Sequence, residues 1–93
     1  MSPSLGAVVL VNIGTAEEEV LRPATIVRAW SGTTINAVAF LDGTNDERHV
    51  KARGYSIEPD GRHGTTWWLT SITQGTGPLN WRHPGPDDTA PGA

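Results

Sequence analysis

The chain has 93 residues, enough for one domain with a thin core, and its 11 Gly and 7 Pro favour turns over long helices. It has no Cys, which excludes disulfide staples and thiolate metal sites. A formal net charge of −3 argues against a sequence-independent duplex-DNA binder, and no apolar run approaches the roughly 18 residues of a membrane-spanning helix.

Residues 6–13 begin the pattern. Ala7, Val8, Val9, Leu10, Val11 and Ile13 make a short β-branched run that predicts a strand. The run lacks a basic leader and a cleavage site, so it is not expected to be a signal peptide. It is apolar on both faces, so either both sides are covered or one side meets a partner. Residues 14–23 read as a connection carrying Glu17, Glu18 and Glu19, a solvated acidic loop or a single helical turn ended by Pro23.

Residues 24–30 predict a second strand, with Ala24, Ile26 and Arg28 on one face. A tight turn at Ser31, Gly32 and Thr33 leads into a third strand over 34–41, forming a β-hairpin. There Ile35, Ala37, Ala39 and Leu41 alternate against Asn36, Val38 and Phe40. Asp42, Gly43, Thr44, Asn45 and Asp46 are dense turn chemistry.

A fourth strand is expected over 48–57, bent or bulged at Gly54, followed by a turn at Pro59, Asp60 and Gly61. Residues 65–72 predict a fifth strand. Strict alternation puts Thr66, Trp68, Thr70 and Ile72 on one side and Trp67, Leu69 and Ser71 on the other. Leu79 and Trp81 are a last apolar anchor, and Pro84, Pro86 and Pro91 mark an extended tail. Residues 1–82 thus read as one small β-barrel domain and 83–93 as a Pro/Gly-rich C-terminal tail.

Five short strands at roughly ten-residue intervals predict an all-β fold, a small barrel that hides its own edges. An SH3-like or OB-like barrel matches the size. Ile26, Val27, Ile35, Val38, Phe40 and Leu69 are the expected core, with Trp68 inside and Trp67 packed under the segment 79–81.

A resemblance rests on Leu21, Arg22, Pro23, Ala24, Thr25, Ile26 and Val27, on Trp30, on the strand from Ile35 to Phe40, and on the turn from Leu41 to Asp46. Thr65, Thr66, Trp67 and Trp68 extend it, and Trp81, Arg82, His83 and Pro84 close it. Across about residues 6–84, in patches, the chain resembles a group of small proteins of tailed bacteriophages and prophages. The resemblance implies an SH3-like barrel and a phage setting, in the virion or in the host cytoplasm during infection. It implies no activity.

No residue pattern calls for chemistry. His49, His63 and His83 lie 14 and 20 residues apart, without the close pair typical of a zinc site. There is no Gly-x-Ser-x-Gly elbow, and the segment Gly61, Arg62, His63, Gly64 lacks the spacing of a phosphate loop. The expectation is a protein with no enzymatic activity, no metal and no cofactor.

Four Trp in so short a chain shift attention to binding, because Trp is enriched at interface hot spots. Trp67, Trp81, Arg62, Arg82 and Pro84 are the candidate partner-binding residues. The segment from Leu79 onward, with Trp81 as its anchor, is expected to dock on a partner or on the barrel itself. The leading expectation is a phage structural or accessory protein that binds another phage protein or itself, as a capsid decoration or a tail or neck component. One alternative is an intracellular effector that binds a host protein or sequesters a nucleotide signal. Another is a weak single-stranded nucleic-acid binder that uses Arg and Trp together.

Overall fold

A computed structural model describes residues 4–52, 62–63 and 65–85. The described chain is mostly β. Its strands are β1 (Val8–Asn12), β2 (Leu21–Ala29), β3 (Thr34–Phe40), β4 (Arg62–His63), β5 (Thr66–Thr73) and β6 (Trp81–Arg82). A 3-10 turn (Gly43–Asp46) and a short helix α1 (Glu47–Ala52) follow β3.

All six strands belong to one antiparallel sheet of order β4-β5-β3-β2-β1-β6. β1, β2, β3 and β5 run as a meander, without the Greek-key connection of an OB-fold. The sheet curls until its ends meet at one point. Gln74, just past β5, bridges to Trp81, and the Gly75 amide donates to the Trp81 carbonyl at 2.9 Å. The expected small all-β barrel is therefore what the chain forms.

The inner face is the core. Val9, Ala24, Ala39 and Trp67 pair across four strands and are all buried. Val11 and Trp81 pair in the next row, and Ile26, Ala37 and Leu69 form a third. Small alanines on the central strands leave room for the two indoles, so large and small side chains interdigitate. Val50 of α1 and Ile13 are fully buried in the same core.

The core differs from the expected one in specific ways. Ile26, Ile35 and Leu69 are inside, but Val27 and Phe40 are exposed and Val38 is only half-buried. The two adjacent indoles are reversed: Trp67 fills the core and Trp68 is 42% exposed. Both errors have one origin. Val38, Phe40 and Trp68 share the sheet face opposite to Ala37, Ala39 and Trp67. Alternation identifies two faces but not which one the curl encloses.

The strict alternation expected of β5 also fails. Ile35 pairs Ile72 but Ala37 pairs Leu69, so β5 carries one extra residue. Ser71 absorbs it with φ 52, and Ile72 returns to the core beside Leu69. A second shift, between Ile26 and Arg28, makes Val27 the extra residue of β2. Buried Asn36 serves both irregularities. Its Oδ1 accepts the Ser71 amide at 2.7 Å and the Trp30 indole N–H at 2.9 Å.

The second strand begins at Leu21, three residues before the expected start, and takes in Pro23. The β2–β3 ladder starts only at Ala24, so the missing proline N–H deprives no partner on that side. The expected strand over 48–57 is replaced by α1 over its first residues, while 53–57 and the turn at 59–61 lie outside the described residues. Val50 is the only buried side chain described in α1. One apolar anchor suits a single helical turn and cannot supply the alternating face of a strand. Of the expected tail, residues 83–85 belong to no helix or strand and 86–93 lie outside the described residues.

A polar clamp at Asn12 holds the loop that follows β1. Asn12, 1% exposed, accepts the Gly14 and Val20 amides on Oδ1 and donates to the Thr15 carbonyl through Nδ2. Its backbone pairs with Asn80 and Leu79. Residues 14–20 fold back so closely that a Cβ on Gly14 would collide with the Glu18 carbonyl and crowd Val20. Gly14→Ala is therefore expected to lower stability by about 1–3 kcal/mol, by overpacking against backbone. Urea denaturation checks this, and an unchanged midpoint would show that the loop can move aside.

Candidate functional site

Three features could carry function: the buried ion pair under the sheet, the Arg–Trp pair at the hairpin end, and the outer sheet face.

Arg22 pairs with Val11 on the inner side of the sheet, and its guanidinium grips Asp46 of the 3-10 turn with two bonds. Nε donates to Oδ2 at 2.7 Å and Nη2 to Oδ1 at 2.9 Å. The same Oδ2 accepts the Asp42 amide at 2.6 Å. Burial pushes the Asp46 carboxyl up, but the Arg22 bonds and the Asp42 amide outweigh it and hold the group below its ordinary range. Arg22 is raised by the same bond, against the effect of burial. Every acceptor is used, so this pair is a tie between β2 and the turn. It explains why Arg22 and the Asp-rich turn occur together in one chain.

At the far end of β2, the Arg28 guanidinium lies 3.8 Å from the Trp30 ring centroid. Trp30 is 53% exposed, and its indole N–H is already committed to Asn36. The pair is a small cationic, aromatic corner.

The outer face is the largest of the three. Val8, Thr25, Val38 and Trp68 pair in one row across β1, β2, β3 and β5. In the next row Leu10 pairs with Pro23 and Phe40 with Thr66. All eight residues are uncharged. Phe40 and Val8 are 47% and 54% exposed, close to half their area. Beyond Leu10 the row ends on Arg82 of β6, which pairs with Glu19 at 3.6 Å. The arrangement is an apolar centre with an ion pair at one edge, and protein interfaces likewise have an apolar core and a polar rim. Monomeric proteins seldom expose a large contiguous apolar patch without a use for it.

The residues chosen from sequence fall differently. Trp67 and Trp81 are core side chains, 1% and 0% exposed, and neither reaches the surface. The Trp81 indole N–H donates to the Thr33 carbonyl at 2.9 Å and its ring meets His83 edge-on, so it anchors β6 to the barrel itself. Arg82 sits at the edge of the outer face, Pro84 is exposed beyond it, and the Arg62 side chain lies outside the described residues. Sequence reasoning missed Val8, Phe40 and Trp68 as surface residues. Their signal was the doubly apolar first strand. Among the described residues no three His, Asp or Glu side chains come together as a metal site would require.

No family model, curated protein or solved structure matches the chain.

Its function must be argued from its own surface. Among the described residues no helix is long and apolar enough to cross a membrane.

Proposed function

We propose that this protein is a non-enzymatic interaction module that works by burying its outer sheet face against another protein. The observation that carries the reading is the uncharged double row from Val8 and Leu10 to Trp68 and Thr66, open in a chain whose other apolar face is closed. Half-exposed Trp and Phe on a rigid sheet lose little side-chain entropy on binding, which is what makes aromatics effective anchors. The sequence likeness to small phage proteins adds a setting, that of a structural or accessory component bound to another protein of the particle. That setting rests on the likeness alone.

The test uses a lysate in which particles of the encoding phage are produced. Mass spectrometry of purified particles is expected to find the wild-type chain. The double variant Phe40→Lys with Trp68→Lys should keep its melting temperature within a few degrees and be lost from the particles. A wild-type chain abundant in the lysate but absent from particles contradicts the structural role and favours the intracellular effector.

A further inference from the structure

We infer that the Arg28–Trp30 corner binds one nucleotide unit, with the base stacked on the indole and its phosphate held by the guanidinium. The corner lies at the hairpin end of β2, beyond the apolar double row, and does not depend on what that row binds.

The first argument is the ring. Trp30 is exposed, yet it is not free to turn. Its N–H donates to Asn36 Oδ1 at 2.9 Å, and the same oxygen accepts the Ser71 amide at 2.7 Å. Asn36 is buried and lies opposite Arg28, between the two register shifts of the sheet. Ser71 holds φ 52, a left-handed conformation that costs a serine free energy. Two bulges and one strained residue thus fix the direction of a surface indole, and bulges recur where a sheet must aim a side chain. Arg28 lies over one face of the ring, 3.8 Å from the centroid, and the N–H edge is turned to Asn36. A residue still 53% exposed under both contacts offers its opposite face to solvent. A fixed, open indole face is a stacking platform for a base.

The second argument is charge. Arg22 and Arg82 are each bonded to a carboxylate, whereas among the described residues Arg28 meets only the ring. No strand of the sheet contains an Asp or Glu. Along β3 the first acid is Asp42, six positions beyond Asn36, or roughly 20 Å at about 3.3 Å per residue. The acidic loop ends before Leu21, seven positions and roughly 23 Å from Arg28 along β2. Both separations exceed two Debye lengths of about 8 Å, so the net negative charge of the chain does not cancel this cation. A guanidinium laid on an indole keeps its N–H edges for an anion. The corner therefore asks for a flat ring and an anion side by side, which a base and its own phosphate supply together. Inorganic phosphate or a carboxylate answers only Arg28, and a duplex keeps its bases stacked on one another.

Nuclear magnetic resonance of the full nitrogen-15-labelled chain at low salt tests this, with a deoxythymidine decamer and thymidine monophosphate as probes. The reporter is the Trp30 indole N–H signal, identified by its loss in Trp30→Phe. The expected result is a saturable shift of that signal, with a Kd for the decamer on the order of 100 μM. Its log K should fall with log salt at a slope of about −0.7, the value for one phosphate on a single strand. In fluorescence anisotropy with a labelled decamer, Trp30→Ala should weaken binding more than about fivefold. Arg28→Ala should weaken it at low salt and bring the slope near zero. Both side chains are exposed, so both variants should melt within a few degrees of wild type. A monophosphate that binds within about tenfold of the decamer identifies the ligand as a free nucleotide, and a larger gap identifies a strand; either supports the inference. A Trp30 signal unmoved at about 1 mM of both probes overturns it, as does a salt slope unchanged by Arg28→Ala. An equal shift with inorganic phosphate or a glutamate decapeptide also overturns it, since the corner would then hold an anion and no base.

Discussion

Trp81→Ala is expected to unfold most of the protein at room temperature. The ring is fully buried, and its N–H satisfies the Thr33 carbonyl across the closing seam of the sheet. Truncating a buried Trp costs about 3–5 kcal/mol. A 93-residue domain has a total stability of roughly 5–10 kcal/mol. Trp81 also stands at the bridge to Gln74 that joins the segment after β5 to β6, so the curl itself is at risk. Trp81→Phe keeps part of the ring packing and removes the N–H, and should cost about 1–2 kcal/mol by the lost bond. Phe40→Ala is the contrast. Were Phe40 a core residue, its truncation would cost as much as that of Trp81. Half-exposed on the outer face, it should cost no more than about 1 kcal/mol. Urea denaturation of the three variants checks the order, and a Phe40→Ala variant as unstable as Trp81→Ala would place the core on the wrong side of the sheet.

The second large effect is acid sensitivity through Asp46. Its carboxyl is held below the ordinary value by Arg22 and the Asp42 amide, against the opposing pull of burial. A group with a depressed pKa in the folded state stabilises fully above its unfolded value, about 3.9 for Asp. That contribution is lost as the pH falls through the lower folded value. Asp46→Asn should therefore cost about 2–3 kcal/mol at neutral pH, the worth of a charge-assisted bond with one end nearly buried. In a domain of this size that lowers the melting temperature by roughly 10–20 °C. The gap between wild type and Asp46→Asn should hold from neutral pH to about pH 4 and close below it. Thermal melts at stepped pH decide this. A gap that does not narrow in acid would mean that the variant acts through packing and not through the charge.

Much of the fold was legible in the residues because it depends on local chemistry. Turn residues at 31–33 and 42–46, β-branched runs and period-2 alternation located four of the strands to within a few positions. They also separated Ile35, Ala37 and Ala39 from Asn36, Val38 and Phe40 correctly. The candidate site was legible only in part, through a first strand apolar on both faces.

What the tertiary structure alone decided is which side of the sheet is inside. Alternation is symmetric between the faces, and the direction of curl depends on contacts far apart in sequence. Trp81 pairs with Val11 seventy residues earlier, and Asp46 is tied to Arg22. Once those contacts close the small-residue side around Trp67 and Trp81, Phe40 and Trp68 must face out. The two extra residues, Val27 and Ser71, depend on the same closure. A bulge is a response to curvature, and a single strand read in isolation has no curvature to respond to. Phe40, one of the expected core residues, thus lies on the outer face on which the protein's function is argued.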